Sequence, residues 1–134
     1  MIKILNKDTC PAHFTSPSLQ TTELGTAAGN EKLYVNIDYV QPGAKSTKYH
    51  SHSLQEEFFL ILKGSGILRM NDETAPVQAG DFVAKPAGRG IAHQFINDGT
   101  EVLEILDCGT KEANDVVNYP DEPVRGKDWK SDPN

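Results

Sequence analysis

The stretch HSHSLQEEFFLILKG, residues 50–64, sets two histidines and two carboxylates directly against an apolar run. Such groups are costly to bury unless something pairs or coordinates them. In extended chain, residues two apart share a face. His50 and His52 therefore turn their imidazoles the same way, as two nitrogens must to converge on one metal ion. Glu57 opens the next strand, where alternation groups it with Phe59 and Ile61 and sets Phe58, Leu60 and Leu62 opposite. Both faces are apolar apart from Glu57, so a carboxylate buried there needs a compensating cation. Glu56 points the other way, toward solvent. His93 begins a further strand and shares its face with Phe95 and Asn97. Three neutral imidazoles and one carboxylate would hold a divalent first-row metal and leave positions open for water or substrate.

Each of these residues also has a plainer reading. His50 and His52 alone could be exposed strand histidines, Glu57 an edge charge reaching water, and His93 a hydrogen-bonded core residue. Four residues in compatible register favour the metal reading over four separate coincidences. His13, in PAHFTSP, reads as an ordinary loop histidine, and Cys108 has no neighbouring base that would make it a nucleophile. GSG at 64–66 lacks the helix and lysine of a phosphate loop, and reads as a hairpin turn. Asn97 heads NDGT, a turn in which its side chain can bond its own backbone.

The elements that must position these groups read as short strands. LYVNIDYV alternates, with Leu33, Val35, Ile37 and Tyr39 on one face and Tyr34, Asn36 and Asp38 on the other. Further strands are expected over 45–51, 57–63, 66–70, 75–78, 81–85, 92–97 and 102–107, separated by Gly-, Pro- and Asn-rich punctuation. Many short strands at such spacing predict an all-β sandwich or barrel. Residues 1–32 are expected to form an arm of irregular structure or short edge strands near Ile2–Leu5 and Thr21–Leu24. Residues 33–108 form the barrel, and 109–134 a polar tail packing as a short turn or helix before fraying. One domain accounts for the chain.

Gly43, His50, His52, Glu57 and Gly64 resemble the first motif of the cupin superfamily, in which Gly, His-x-His, Glu and Gly follow at set intervals. Gly80, Pro86, Gly88, His93 and Asn97 resemble the second. Four residues rather than two separate Gly88 from His93, although Gly90 restores a Gly-x-x-His spacing. The resemblance covers roughly residues 33–107. It implies a single-domain jelly-roll β-barrel with His50, His52, Glu57 and His93 as ligands of one divalent transition metal ion: Mn, Fe, Ni, Zn or Cu. The tail DVVNYPDEP is similar to the ending of some small single-domain cupins assigned as sugar-phosphate isomerase-like or left unassigned.

Composition narrows the function further. The 134 residues carry a net charge of -6 and no basic cluster, which excludes a nucleic-acid partner. No run approaches the roughly 18 apolar residues needed to cross a membrane. The N-terminus lacks the pattern of a secretory signal, and Cys10 and Cys108 build no disulfide framework, so a cytoplasmic protein is expected. The functional expectation is a metal-dependent enzyme on a small polar molecule, of dioxygenase, isomerase or decarboxylase type. The alternative is a non-catalytic barrel that binds or senses a small sugar-like ligand. No catalytic base stands out, and Tyr49, Arg69 and Gln94 are the polar residues nearest the motifs. Open sheet edges favour a homodimer.

Overall fold

The computed structural model describes residues 2–122. The expected tail beyond residue 122 lies outside the described residues. A 3-10 turn at Lys7–Thr9 leads into β1 (His13–Ser16), β2 (Leu19–Glu23) and a short helix α1 (Leu24–Ala28). Strands β3 (Leu33–Val40), β4 (Ser51–His52), β5 (Glu57–Lys63), β6 (Ser65–Met70) and β7 (Glu73–Gln78) follow. The series closes with β8 (Phe82–Lys85), β9 (His93–Ile96), β10 (Leu103–Thr110) and β11 (Val117–Asn118). Every strand pairing is antiparallel. A six-stranded sheet in the order β1-β2-β3-β10-β5-β8 faces a three-stranded sheet β7-β6-β9, the jelly-roll arrangement. The small ribbon β11-β4 closes one end.

Two expectations need correction, and a third gains an element. Residues 2–5 form no strand, and Ile2 and Ile4 stay exposed with no sheet edge beside them. Residues 45–50 are not a continuous strand. Lys45 and His50 make isolated bridges to Ile96 and His93, and Ser46 and Thr47 between them bond β9 partly through side chains, so no continuous ladder forms. The tail packs through turns, as expected, and in addition sets a two-residue strand, β11, beside β4.

The interior follows from period-two alternation in register. On β5, Glu57, Phe59 and Ile61 point inward, opposite Lys85, Val83 and the end of β8's ladder on one side. On the other side, β10 sets Asp107 opposite Phe59 and Ile105 opposite Ile61. The inward face of β3 is the one bearing Asn36 and Asp38, which pair with Asp107 and Ile105. Each strand therefore delivers a polar side chain at one end of the barrel and an apolar one at the other. Leu19, Val40, Phe59, Ile61, Leu68, Val77, Phe95, Leu103 and Ile105 form the apolar core. Removing that surface from water supplies the main driving force for folding. No helix among the described residues is long and apolar enough to cross a membrane.

Candidate metal centre

The polar end of the barrel holds His50, His52 and Glu57, whose ligand atoms all lie within 4.8 Å of one another. All three are buried, at 0%, 6% and 1% exposure. Neighbouring elements place them: β4 carries His52, a bridge to His93 seats His50, and Glu57 opens β5 between β8 and β10. The rings of His50 and His52 sit edge to face with centroids 4.9 Å apart. Phe59 and Phe95 form the floor, with Phe59 4.4 Å from the His93 ring centroid.

Hydrogen bonds on the far side of each ring decide which nitrogen faces the centre. His50 Nδ1 lies 2.6 Å from the Lys48 carbonyl oxygen, which only accepts, so the proton sits on Nδ1 and Nε2 keeps its lone pair. His52 Nδ1 lies 2.6 Å from Asp115 Oδ2 and is held the same way. Asp115 also accepts from the backbone N–H groups of Leu54 and Gln55, at 2.8 and 3.0 Å. Partial burial opposes ionisation of Asp115, but these donors and His52 outweigh it and hold its carboxyl below the usual range.

Glu57 spends one oxygen outward. Tyr34 Oη is 2.7 Å from Glu57 Oε2 and 2.6 Å from Asp107 Oδ1. A phenol has one proton, so when it donates to Glu57 it must accept from a protonated Asp107. Burial, then the neighbouring Asp38 and Glu57 carboxylates, push Asp107 well above its ordinary value, in keeping with that assignment. Asp38 continues the chain, accepting from Thr21 Oγ1 at 3.1 Å.

His50 Nε2 and His52 Nε2 are buried with no hydrogen-bond partner among the described residues, while Glu57 Oε1 is met only by ion-pair contacts, Lys85 Nζ at 2.8 Å and His52 Nε2 at 3.2 Å. Such orphaned groups are rare in folded proteins and each demands an explanation. Burial, then the Lys85 ammonium, lower His50 to about 4, so its ring stays neutral. Burial works against a charged His52, but Glu57 and Asp115 outweigh it and raise the ring above its ordinary value. Burial likewise opposes the Glu57 carboxylate, while His52, His93 and Lys85 together hold it below its usual range. This is a donor set of two imidazole nitrogens and a carboxylate oxygen, chemically suited to a divalent transition ion.

His93 is not part of the converged group. It is 3% exposed and near the others, with its ring centroid 5.0 Å from that of His50, but Nδ1 lies 2.8 Å from Lys85 Nζ. Lys85, 1% exposed, also lies 2.8 Å from Glu57 Oε1. The extra residues before His93 are absorbed in a loop where Gly88 and Gly90 both take left-handed backbone, with φ of 73° and 65°. Tyr49, Arg69 and Gln94 are engaged elsewhere. Tyr49 bonds Asp72, Arg69 pairs with Asp121 while covering the Tyr49 ring, and Gln94 donates to the Thr47 carbonyl. His13 starts β1 at the surface, Asn97 caps its own turn through Gly99, and both cysteines are free.

Sequence reasoning missed Lys85, Asp115, Tyr34 and Asp107. Lys85 had one legible signal: it shares the inward alternation of Val83 on a strand beside Glu57, and Glu57 had called for a cation. Asp115 had none, since only folding brings the tail back to His52.

Comparison with known proteins places this geometry in a family. Residues 36–109 match the cupin domain family. An uncharacterised protein of Methanocaldococcus jannaschii is 32% identical over 69 residues, 52% of this chain and 54% of its own length. The match thus spans about half of that relative. Two solved structures are similar. One is a candidate sugar phosphate isomerase of Acidithiobacillus ferrooxidans, with TM-score 0.73 and 38% identity over 76% of this chain and 65% of that one. The other is a sugar phosphate isomerase from the cupin superfamily of Silicibacter pomeroyi, with TM-score 0.85 and 28% identity over 90% and 83%. With the family match covering more than half its length and an antiparallel jelly roll around the matched motifs, the chain belongs to the cupin family.

Proposed function

We propose that this chain is a metal-dependent enzyme acting on a small, oxygen-rich molecule of the sugar-phosphate kind. Its metal is held by His50, His52 and Glu57, and His93 is the further ligand position when Lys85 does not hold its Nδ1. One observation carries the reading: His50 Nε2, His52 Nε2 and Glu57 Oε1 are gathered and buried, and the two imidazole nitrogens have no hydrogen-bond partner among the described residues. A divalent ion of Mn, Fe, Ni, Zn or Cu accepts these donors and would supply Lewis-acid polarisation of substrate oxygens. The chain does the positioning. Lys48 and Asp115 set the tautomers of His50 and His52, Tyr34 fixes the Glu57 carboxylate, and Phe59 and Phe95 exclude water from below.

Two features support the substrate class. Structural relatives carry the sugar phosphate isomerase name. A cavity of about 500 Å³ is lined by Lys45, Ser16, Ser46, Thr47 and Tyr119, a cation and hydroxyl groups suited to a phosphate. Tyr119 also packs toward the His50 ring, with centroids 6.1 Å apart, so cavity and centre share a wall. The deep burial of all three ligand side chains favours a second reading, a metal that holds a ligand without turning it over.

The test is elemental analysis of tag-free protein purified without a metal column, beside Glu57→Gln. Near one equivalent of a single transition metal is expected, and the variant should lose it. Equal metal in both would refute the site. Metal-loaded protein that leaves a panel of aldose and ketose phosphates unchanged would decide for the non-catalytic reading.

A homodimer is proposed through the outer face of the six-stranded sheet. Phe58 and Phe82 stack there with centroids 5.8 Å apart, 38% and 67% exposed, beside an edge of β8 that no strand among the described residues pairs. An unpaired edge with aromatic surface is a ready pairing site.

A further inference from the structure

The chain carries its own cation at the proposed centre. Lys85 Nζ has an acceptor for each of its three protons: the His93 ring at 2.8 Å, the His50 carbonyl oxygen at 3.1 Å and, as an ion pair, Glu57 Oε1 at 2.8 Å. The register makes this arrangement structural rather than accidental, because Lys85 stands directly opposite Glu57 across the β5–β8 ladder. A lysine reaching inward at 1% exposure, with every donor used, compensates a buried carboxylate that would otherwise be strongly destabilising.

We propose that Lys85 is a resident counter-cation that competes with the metal for Glu57 and withholds His93 from the ligand set, and so sets the affinity and ligand number of the centre. This rests on the metal-site reading above. The reason is a count of lone pairs. An ammonium donating to His93 Nδ1 leaves the ring proton on Nε2, so while Lys85 stays neither nitrogen of His93 offers a lone pair to an ion. His50 and His52 are the reverse case, with acceptors on Nδ1 and Nε2 left open. The same ammonium is 2.8 Å from the one Glu57 oxygen that Tyr34 leaves available. An ion bound to that oxygen would meet a like charge at close range, which weakens its binding.

The experiment measures Zn(II) and Co(II) affinity of the full chain by calorimetric titration, with the Co(II) absorption spectrum as a reading of ligand number. Wild type, Lys85→Met, Lys85→Arg, His93→Gln and the Lys85→Met/His93→Gln double variant are compared. Lys85→Met is expected to bind metal about tenfold or more tightly, and Lys85→Arg, which keeps the charge, is not. His93→Gln should change wild-type affinity by no more than about twofold, yet cost about tenfold in the Lys85→Met background. The Co(II) spectrum should shift toward a higher ligand number only in Lys85→Met.

Lys85→Met binding no more tightly than wild type would overturn the inference and leave the metal site standing. So would an equal His93→Gln loss in both backgrounds. If neither wild type nor Lys85→Met takes up either ion, the metal-site reading fails and this inference with it. Should Lys85→Met not fold alone, its folding on addition of Zn(II) supports a cation role, and failure with Zn(II) as well overturns it.

Discussion

An imidazole serves a metal only as the neutral ring with a lone pair turned toward it, and here that condition is set one bond further out. His52 depends on Asp115, so Asp115→Ala is expected to weaken Zn(II) binding about 10- to 100-fold. Asp115→Asn, which can still accept from Nδ1, should lose less; calorimetric titration checks the order. The buried histidines also make stability depend on pH. His50 titrates near 4 in the folded chain against an ordinary 6.5, and burial lowers His93 as well. Between those values the unfolded chain binds more protons, so stability is present above pH 6.5 and is lost as pH falls toward 4. His50 alone contributes up to about 3 kcal/mol across that window. His52, shifted upward, acts in the opposite sense at higher pH. The urea midpoint of metal-free protein should therefore fall between pH 6.5 and 4. A flat midpoint would mean these rings are not buried neutral.

Strands place these groups only where they approach closely. Gly109 on β10 faces Tyr34 across the β3 ladder, and a Cβ added there would meet the Glu56 carbonyl oxygen and come within 2.6 Å of Tyr34 Cε2. Gly109→Ala is expected to destabilise the fold by roughly 1–3 kcal/mol. It should also push Tyr34 off Glu57, weakening metal binding as Tyr34→Phe does; thermal melts and titrations of both variants check this. Alternation made β5 legible to the residue, Glu57–Lys63, because a run of seven residues with an inward apolar face has one consistent reading. It could not show that residues 45–50 meet β9 through isolated bridges and side-chain bonds rather than a ladder, or that the tail pairs with β4. Those pairings join positions more than forty residues apart, and local pattern holds no record of them.

At the scale of the molecule, the proposed dimer predicts that Phe82→Asp yields a monomer in sedimentation velocity while metal affinity stays within about twofold. Phe82 is exposed on the outer face and stands opposite Leu60, three positions from Glu57 along β5, so a change in metal binding would argue that the sheet face and the centre are coupled. The barrel itself is legible in the chain: strands with period-two alternation, turn residues between them, and His50, His52 and Glu57 spaced to meet on one face. Chemistry confined to one strand and its turn is written in neighbouring residues, since side-chain direction there follows from backbone period alone. The charge state of the centre is not written that way. Lys85, Tyr34, Asp107 and Asp115 come from four separate segments, and long-range register brings them to Glu57, His52 and His93. Which lone pairs remain open to an ion depends on those partners, so it became visible only once the strands were packed.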